Sequence, residues 1–295
     1  MDPRILSIQS HVVSGYVGNK SAVFPMQLLG FDVDFINSVQ FSNHTGYDSV
    51  KGQVITEKEL ADLVIGLKDN KIDHYTHLLT GYIGSSGFLK EIVTLYHHLK
   101  SINPDLIYVC DPVMGDNGKM YVPKELLPIY KENILPIATI LVPNLFEIEL
   151  LTETTIKTEE NVWEAIDILH EKGIQTVCVS SAELPTYDGQ LCAFASSKKT
   201  GVGKKFKMQF PKIPINFTGT GDLFAALFLC FMQLTQSDVK ESLEKTVAAL
   251  QAVLKRTFNS FQGKEPTAKN KELRLIQSRD DIRNPKVEIR AQTVE

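Results

Sequence analysis

The sequence predicts an α/β fold in which helices flank both faces of a central, mostly parallel sheet. Short apolar segments of strand length alternate with longer segments whose apolar residues recur every three or four positions. This alternation begins near residue 4 and continues to residue 179. Repeated strand–helix units form parallel sheets covered by helices, because each helix carries the chain back across one face of the sheet.

The predicted elements follow one another closely along the chain. Strands are expected at residues 4–8, 32–37, 77–79, 106–110, 139–142 and 176–179. Helices are expected at residues 20–29, 57–70, 85–100, 123–133, 145–151 and 160–172. The second of these helices, for example, has Leu60, Val64 and Leu67 at helical spacing, which predicts one buried face.

The last third of the chain departs from this alternation. Two strands of a hairpin at the sheet edge and two further helices are predicted at residues 190–196, 204–210, 222–232 and 237–257. The polar segment 262–271 is predicted to be loose. The apolar segments 273–276 and 287–289 either add a final strand or pack on the surface. Because no repeat or linker composition divides the chain, we predict a single domain over residues 1–295.

The composition is that of a globular protein without a nucleic-acid-binding surface. Hydrophobic residues make up 43% and charged residues 22% of the chain, and the net charge is −4. Nucleic-acid binding requires clustered basic residues on one face. The one dense basic run, residues 198–205, lies between two predicted strands, so we interpret it as a solvated hairpin tip. Its Gly-Val-Gly-Lys is not a P-loop, because the first glycine of that motif would fall on Lys198.

The cysteines and the apolar segments indicate a reducing compartment. Four cysteines are predicted to be buried free thiols: Cys110, Cys178, Cys192 and Cys230. None forms a C-x-x-C pair, so zinc sites and disulfides are not expected. The first residues show no signal-peptide pattern, and the most apolar stretch, residues 223–232, is too short to cross a bilayer. We therefore expect a cytoplasmic protein with no membrane partner.

The segment Thr218-Gly219-Thr220-Gly221-Asp222 directly precedes an apolar helix. Its glycines let the backbone approach a ligand, and the free amides at a helix N-terminus attract anions such as phosphate. Asp222 is placed to accept a proton from an attacking hydroxyl, as in phosphoryl transfer. Alternatively, Asp222 is only the N-cap of the helix. The segment is typical of an ATP-dependent kinase with a small hydroxyl substrate, but taken alone it leaves both interpretations open.

A second candidate cluster follows the predicted strand 106–110. Asp111 ends that strand and Asp116 follows in the loop, which continues to Tyr121. Mg²⁺ prefers a few carboxylates combined with phosphate oxygens, so two acids at this edge suit a metal beside ATP. Aspartate is equally common in turns that end strands, and this alternative stays open. Residues 117–120 have the composition of a mobile flap over a site.

Asn144 and Glu147 lie three positions apart where a predicted strand passes into a helix. Asn144 is a candidate contact for nucleotide phosphate, and Glu147 for a metal-bound water. The N-x-x-E spacing is also that of a capping box. The two interpretations are compatible.

The N-terminal third supplies polar groups of another type. Hydroxyl side chains at Ser10, Thr45 and Tyr82 follow the first three predicted strands, and Val17 and Phe41 supply apolar surface beside them. This combination suits a flat, partly polar ring better than a sugar, which would call for more Asp and Asn.

Together these motifs carry a resemblance to a known family. In chain order they are Ser10-His11-Val12, Asn43-His44-Thr45-Gly46, Thr80-Gly81-Tyr82, Asp111-Pro112-Val113-Met114-Gly115-Asp116, Pro143-Asn144-x-x-Glu147 and Gly219-Thr220-Gly221-Asp222. The series resembles the vitamin B6 kinases, the pyridoxal kinase family of the ribokinase superfamily, and is close to the animal enzymes. The most specific stretch is residues 37–47, since the Gly-Thr-Gly-Asp turn alone indicates only the superfamily.

The resemblance implies a ribokinase-like fold and ATP-dependent phosphorylation of the 5′-hydroxymethyl group of pyridoxal, pyridoxine or pyridoxamine. It implies that Asp222 is the base and that the amides of Gly219, Thr220 and Gly221 form an anion hole. The positions that match family contacts to the pyridine ring are Ser10, Val17, Phe41, Thr45 and Tyr82. Those that match the metal and nucleotide region are Asp111, Asp116, Tyr121, Asn144, Glu147, Ser180, Ser181 and Thr220.

The resemblance further implies Mg²⁺ (Zn²⁺ in some reports), a monovalent cation such as K⁺, and a homodimer. Three features of this sequence depart from the family pattern. Val142 stands where animal relatives carry a threonine associated with the monovalent cation, so a side-chain ligand is lost. The flap after Asp116 is a few residues shorter than in mammalian relatives, and Ser180 replaces a threonine while keeping the hydroxyl.

Two alternatives remain at this point. A hydroxymethylpyrimidine kinase would share the fold and the Gly-Thr-Gly-Asp turn. A non-catalytic relative that binds vitamin B6 is the second, although the presence of Asp222, Asp111 and Asp116 argues against it.

Overall fold

A computed structural model describes residues 2–199, 204–261 and 263–294. The strands are β1 (Arg4–Val12), β2 (Asp32–Phe41), β3 (Gly52–Val54), β4 (His77–Thr80), β5 (Ile107–Cys110), β6 (Gly115–Asp116), β7 (Lys119–Met120), β8 (Ile140–Leu141), β9 (Thr176–Ala182), β10 (Gln190–Ser197), β11 (Lys204–Pro211) and β12 (Gln292–Val294). The helices are α1 (Asn19–Leu28), α2 (Glu57–Asp69), α3 (Ser86–Ile102), α4 (Leu126–Ile129), α5 (Leu145–Thr152), α6 (Glu159–Glu171), α7 (Thr220–Leu234), α8 (Val239–Asn259) and α9 (Arg279–Arg283). Residues 200–203, the centre of the predicted basic hairpin tip, lie outside the described part of the chain.

Ten strands form one sheet in the order β12-β11-β10-β9-β8-β5-β4-β1-β2-β3. The six strands from β9 to β2 in this order pair in parallel, and the outer pairs at both ends are antiparallel. The predicted hairpin is present as β10 and β11, and β12 adds three residues to its outer side. The prediction of a mostly parallel sheet is therefore confirmed. Strands from residue 4 to residue 294 in one sheet support a single domain, which stays a prediction.

Helices cover both faces of the sheet, as predicted. One core layer contains buried residues from α2 through α6, and the other contains buried residues from α1, α7, α8 and α9. Adjacent residues of a strand point to opposite faces, so Ile5 and Leu6 of β1 pack into different layers. Each layer contains a long series of fully buried side chains, which fixes the positions of the loops at the strand ends.

Several predicted elements differ in extent. β1 and β9 are longer than expected, so Ser10 lies within β1 and both Ser180 and Ser181 lie within β9 rather than after it. The predicted helix at 123–133 consists of the four-residue α4 followed by a π-helical turn, Tyr130–Ile134.

The last strand is also misplaced in the prediction. It is formed by residues 292–294, whereas Leu273 and Leu275 are core residues outside any strand. All three residues of β3 are exposed, so this strand has no apolar pattern that a sequence search could detect.

The prediction of buried free cysteines is confirmed for all four residues. Among the described residues, no helix is both long enough and apolar enough to cross a membrane.

Candidate active site

The carboxyl ends of the parallel strands bring the predicted site residues to one edge of the sheet, where ligands bind in open α/β sheets. Strands β1, β4, β5 and β8 lie in adjacent positions, and the loops after them carry Val17, Tyr82, Asp111 and Asn144. Helix α7 begins near this edge and packs against α1. The site therefore combines neighbouring strand ends with one helix N-terminus.

Asp222 lies in the first turn of α7, and the N-cap is Gly219, which has a φ of 83°. The interpretation of Asp222 as the cap is therefore wrong. Its carboxylate Oδ2 instead accepts a 2.8 Å hydrogen bond from the backbone N–H of Gly18, the residue before α1. Oδ1 has no hydrogen-bond partner in the described part of the chain. Burial raises the pKa of Asp222, while the Gly18 N–H lowers it. One oxygen is thus held in place and the other is free to accept a proton.

Gly219 is required at the start of α7 by the close approach of the Gly15–Gly18 turn. A Cβ on Gly219 would overlap the carbonyl oxygen of Tyr16, and the Gly219 carbonyl accepts a 2.9 Å hydrogen bond from Ser21 Oγ. The N–H groups of Thr220 and Gly221 donate to no acceptor within the described residues. Free amides at the positive end of a fifteen-residue helix favour an anion.

Asp111 faces this turn from the end of β5. A Cβ placed on Gly221 would lie 3.8 Å from Asp111 Oδ2. Asp111 is only 5% exposed, and its Oδ2 is a buried atom for which the described residues supply no hydrogen-bond partner. Burial raises its pKa well above the usual value, and the nearby negative charges of Glu147 and Asp222 add to this effect. An unsatisfied buried carboxylate of this kind requires a cation or a proton.

Glu147 is buried and holds the loop that follows β5. Its Oε1 accepts from the N–H of Met114 at 3.0 Å, and its Oε2 accepts from the N–H of Asn144 at 2.9 Å. Asn144 Oδ1 accepts from the N–H of Glu147, so the predicted capping box is present. Burial raises the pKa of Glu147 to about 8 against the lowering effect of these N–H groups.

These residues fit a divalent cation only in part. No group of three His, Cys, Asp or Glu side chains with metal-ligand geometry occurs within the described residues. Asp111 has the free oxygen that a metal would need, and the oxygens of Glu147 already accept backbone N–H groups. The exposed Asp116 accepts hydrogen bonds from the backbone and side chain of Asn117. This arrangement suits Mg²⁺, which takes few protein carboxylates and completes its shell with phosphate oxygens and water.

Two of the residues predicted to bind the ring, Ser10 and Val17, lie beside or within the same Gly15–Gly18 turn. A Cβ on Gly18 would overlap the carbonyl oxygen and the side chain of Ser10, so Ser10, Gly18 and Asp222 are contiguous. Val17 in that turn is buried, and Phe41 pairs in register with Val12.

The remaining predicted contacts lie in neighbouring loops. The carbonyl of Tyr82 accepts a 2.6 Å hydrogen bond from Ser38 Oγ, and burial raises the pKa of the Tyr82 hydroxyl. Thr45 is exposed in the loop after β2. No described contact joins Thr45 or Tyr82 to Asp222, so their place in one pocket stays a prediction.

On the nucleotide side, the Ser180 N–H donates to the carbonyl of Pro143, which joins β9 to the end of β8. Tyr121 is 56% exposed, and its N–H donates to the carbonyl of Met114. The predicted flap is the small hairpin of β6 and β7, in which Gly115 pairs with Met120. Two short strands thus fold back over Asn144, whose Nδ2 donates to the Gly115 carbonyl.

Gly18 was not a candidate in the sequence, although it is the residue that holds Asp222. The sequence showed only a glycine before a predicted helix, a pattern that is common at N-caps. Its partner is 204 positions away, so no local pattern could reveal the contact.

Known proteins with similar sequences identify the family to which this chain belongs. A family model described as phosphomethylpyrimidine kinase matches residues 36–268. The pyridoxal kinase of Arabidopsis thaliana is 52% identical over 293 residues, which cover 98% of this chain and 94% of that protein. The human pyridoxal kinase is 43% identical over 304 residues, which cover 98% and 97% of the two chains. This chain belongs to the pyridoxal kinase family.

Solved structures of pyridoxal kinases share the whole fold. The pyridoxal kinase from Leishmania donovani in complex with ADP and pyridoxamine superposes with a TM-score of 0.92 at 33% identity, covering all of both chains. Its complex with ADP and pyridoxine gives a TM-score of 0.91 and covers 99% of both chains. The ribokinase-like fold expected from the motifs is confirmed.

Proposed function

We propose that this protein transfers the γ-phosphoryl group of ATP to the 5′-hydroxymethyl group of pyridoxal, and also of pyridoxine and pyridoxamine. The observation that carries the proposal is Asp222, held by the Gly18 N–H through one oxygen with the other oxygen free at the N-terminus of α7. The pyridoxal kinases at 43–52% identity support the same substrate class.

Phosphoryl transfer requires a base, a positive environment for the phosphoryl group and an ordered acceptor. Asp222 Oδ1 takes the proton of the 5′-hydroxyl group while the hydroxyl oxygen bonds to the γ-phosphorus. The bond from the γ-phosphorus to the bridging oxygen breaks, and ADP leaves. The N–H groups of Gly219, Thr220 and Gly221 point at the charge that develops on the transferred group.

The substrate pocket and the nucleotide site flank this centre. We assign the pyridine ring to Ser10, Val17, Phe41, Thr45 and Tyr82. We assign the nucleotide to Asp116, Tyr121, Asn144, Ser180, Ser181 and Thr220. Burial raises the pKa of Asp222, which makes its carboxylate a stronger proton acceptor.

Asp111 and Asp116 are the residues that would hold Mg²⁺, or Zn²⁺, with Glu147 fixing the loop between them. A divalent cation bound there would neutralise charge on the phosphates of ATP. The unpartnered Asp111 Oδ2 supports this assignment. K⁺ as the monovalent cation, a homodimer and a cytoplasmic location also remain proposals, which the family resemblance supports.

A coupled assay of ADP formation tests the function. Purified protein with MgATP should phosphorylate pyridoxal, pyridoxine and pyridoxamine, and mass spectrometry should show one added phosphate. Asp222→Asn, which keeps an acceptor for the Gly18 N–H but loses the base, is the matched negative control. Absence of vitamer-dependent ADP formation by the wild-type protein would overturn the proposal.

Hydroxymethylpyrimidine phosphorylation is the second candidate, because the matching family model carries the phosphomethylpyrimidine kinase description. The same assay separates the two. We expect a higher kcat/KM for pyridoxal, and a higher value for the pyrimidine would reverse the assignment.

A further inference from the structure

Glu272 is a buried carboxylate outside the groups assigned above, and it is 7% exposed. Both of its oxygens have partners. Oε1 accepts a 2.7 Å hydrogen bond from the Tyr47 hydroxyl, and Oε2 accepts a 2.6 Å hydrogen bond from Lys269 Nζ. A buried charged group is stabilised when its hydrogen-bonding capacity is used in this way.

Glu272 directly follows residues 262–271, the polar segment that the sequence predicts to be loose. Residues 263–271 contain no helix or strand and are mostly exposed. Backbone hydrogen bonds order the segment, including those from Asn270 and Lys271 to the carbonyl of Thr267. Leu273 directly follows Glu272 and is buried in the core, which anchors the carboxylate.

Three separate parts of the site meet at this carboxylate. Tyr47 belongs to the loop after β2 that carries Thr45, and it lies 225 positions from Glu272. The Gly15–Gly18 turn passes so close that a Cβ on Gly15 would lie 2.6 Å from Glu272 Oε1. The backbone of Glu272 forms an isolated parallel bridge with Thr218, the residue before the Gly219–Asp222 turn.

The loop that carries Thr45 is packed around Tyr47. The ring centroids of His44 and Tyr47 are 4.8 Å apart, and His44 Nδ1 accepts a 3.1 Å hydrogen bond from the N–H of Gly46. Thr45 lies between these two rings in sequence. Fixing the Tyr47 hydroxyl therefore restricts the backbone positions open to Thr45. Burial and Glu272 raise the pKa of Tyr47 to about 12, so its hydroxyl remains the donor.

We propose that Glu272 is a positioning residue for phosphoryl transfer, because it sets the Thr45 loop in place relative to the Thr218–Asp222 turn. It has no part in the chemistry itself. The inference rests on the proposed function, since it assigns to Glu272 the alignment of the vitamer with the base. It predicts that loss of the Tyr47–Glu272 hydrogen bond weakens the vitamer side of the site and leaves the nucleotide side unchanged.

The test compares four single variants of the full-length protein. Glu272→Ala and Tyr47→Phe each remove the hydrogen bond from one side, and Glu272→Gln keeps an acceptor for Tyr47 while losing the charge that pairs with Lys269. Glu265→Gln is the matched control, because Glu265 is exposed in the same segment and its side chain has no described partner. Steady-state kinetics are measured separately for pyridoxal and for ATP, together with the thermal midpoint.

Loss of a hydrogen bond to a charged group predicts an increase of about tenfold or more in KM for pyridoxal in Glu272→Ala and Tyr47→Phe. KM for ATP should stay within about twofold, since neither Tyr47 nor Glu272 is among the residues assigned to the nucleotide. Glu272→Gln should show the smaller effect, and Glu265→Gln should match wild type. In the double variant Tyr47→Phe/Glu272→Ala, KM for pyridoxal should be no higher than in the more impaired single variant. Each single change already removes the same hydrogen bond, so the second change has nothing further to remove.

Two results would overturn the inference. One is a parallel rise of KM for pyridoxal and ATP with a lowered thermal midpoint, which indicates a purely structural role. The other is wild-type kinetics in both Tyr47→Phe and Glu272→Gln. These two changes are conservative, so they keep the test decisive if Glu272→Ala does not fold. Failure of the proposed function appears separately, as an inactive wild-type protein.

Discussion

The backbone N–H of Gly18 donates a 2.8 Å hydrogen bond to Oδ2 of Asp222. This contact joins the N-terminus of α1 to the first turn of α7. The group that orients the carboxylate therefore lies outside α7. The side chain of an N-cap residue would instead accept from an N–H of its own helix.

Replacement of Asp222 tests the assigned base. We expect Asp222→Ala to lower kcat by a factor of about 10² to 10⁴, because general-base catalysis contributes about this much. Binding of ATP, measured by titration calorimetry, should change little. Turnover close to wild type would show that another group takes the proton.

Gly18→Ala tests the support of the base. A Cβ there would overlap Ser10, and the φ of 52° with ψ of −132° is a conformation for which glycine is suited. We expect a loss of stability of about 1–3 kcal/mol together with a fall in kcat, measured by urea unfolding and steady-state kinetics. Gly30→Ala is the control, since Gly30 also has a positive φ of 92°, but a Cβ there would meet no described residue within 4 Å apart from its chain neighbours. Equal effects on kcat in both variants would contradict a specific role for Gly18.

The flap offers a matched pair of glycines. A Cβ on Gly115 would overlap the Lys119 carbonyl oxygen and lie 2.7 Å from the Phe146 ring, whereas one on Gly118 would meet nothing within 4 Å. We expect Gly115→Ala to raise KM for ATP by about tenfold, the scale of a 1.4 kcal/mol loss, with little change for pyridoxal. Gly118→Ala meets no such overlap, but the φ of 76° at Gly118 disfavours alanine, so we expect a smaller effect that arises from backbone strain alone. A larger effect of Gly118→Ala would show that the hairpin geometry does not matter.

The burial of His77 makes the free energy of unfolding depend on pH. It is 3% exposed, and burial lowers its pKa from 6.5 to about 4. Between these values the unfolded chain binds more protons than the folded one, so stability is lost as pH falls below 6.5. By pH 5 the loss amounts to about 2 kcal/mol. Urea unfolding at pH 7 and pH 5 should show a smaller difference for His77→Gln than for wild type. An unchanged difference would assign the acid sensitivity to other groups.

Val142 bears on the monovalent cation. Its side chain is apolar and 3% exposed, so it supplies no ligand at the position where the family resemblance implies a threonine. We expect weak dependence on K⁺ and a stronger dependence in Val142→Thr. The measurement is kcat in KCl against a large organic cation at equal ionic strength. A collapse of wild-type activity without K⁺ would contradict the expectation.

Much of the fold was predictable because its signals are local. Long amphipathic helices such as α2, with Thr56 and Glu59 forming a capping box, carry their own pattern. Strands such as β4, which are buried on both faces, appear in the sequence as short continuous apolar segments. The short strands β3, β6 and β7 were missed because two or three largely exposed residues leave no periodic signal.

The candidate site was predicted as a set of residue types, but not as an arrangement. Asp111, Glu147 and Asp222 were identified from their places at strand and helix ends. Gly18 contacts Asp222 from 204 positions away, and Glu272 contacts Tyr47 from 225 positions away. Nothing in the neighbouring sequence indicates either contact. The interpretation of Asp222 as a cap was wrong because α7 begins at Thr220, with Gly219 as its N-cap.

The pairing of β1, which lies inside the sheet and third from its β3 edge, has a consequence for synthesis. Its paired neighbours are β2 and β4, while the helix α1 that follows it packs mainly on α7, formed by residues 220–234. The ring side of the site thus emerges from the ribosome long before its base, and closing so large a loop carries an entropic cost that slows folding. A nascent chain that has not yet reached α7 leaves the apolar face of α1 without its partner, so this surface needs protection from aggregation during translation.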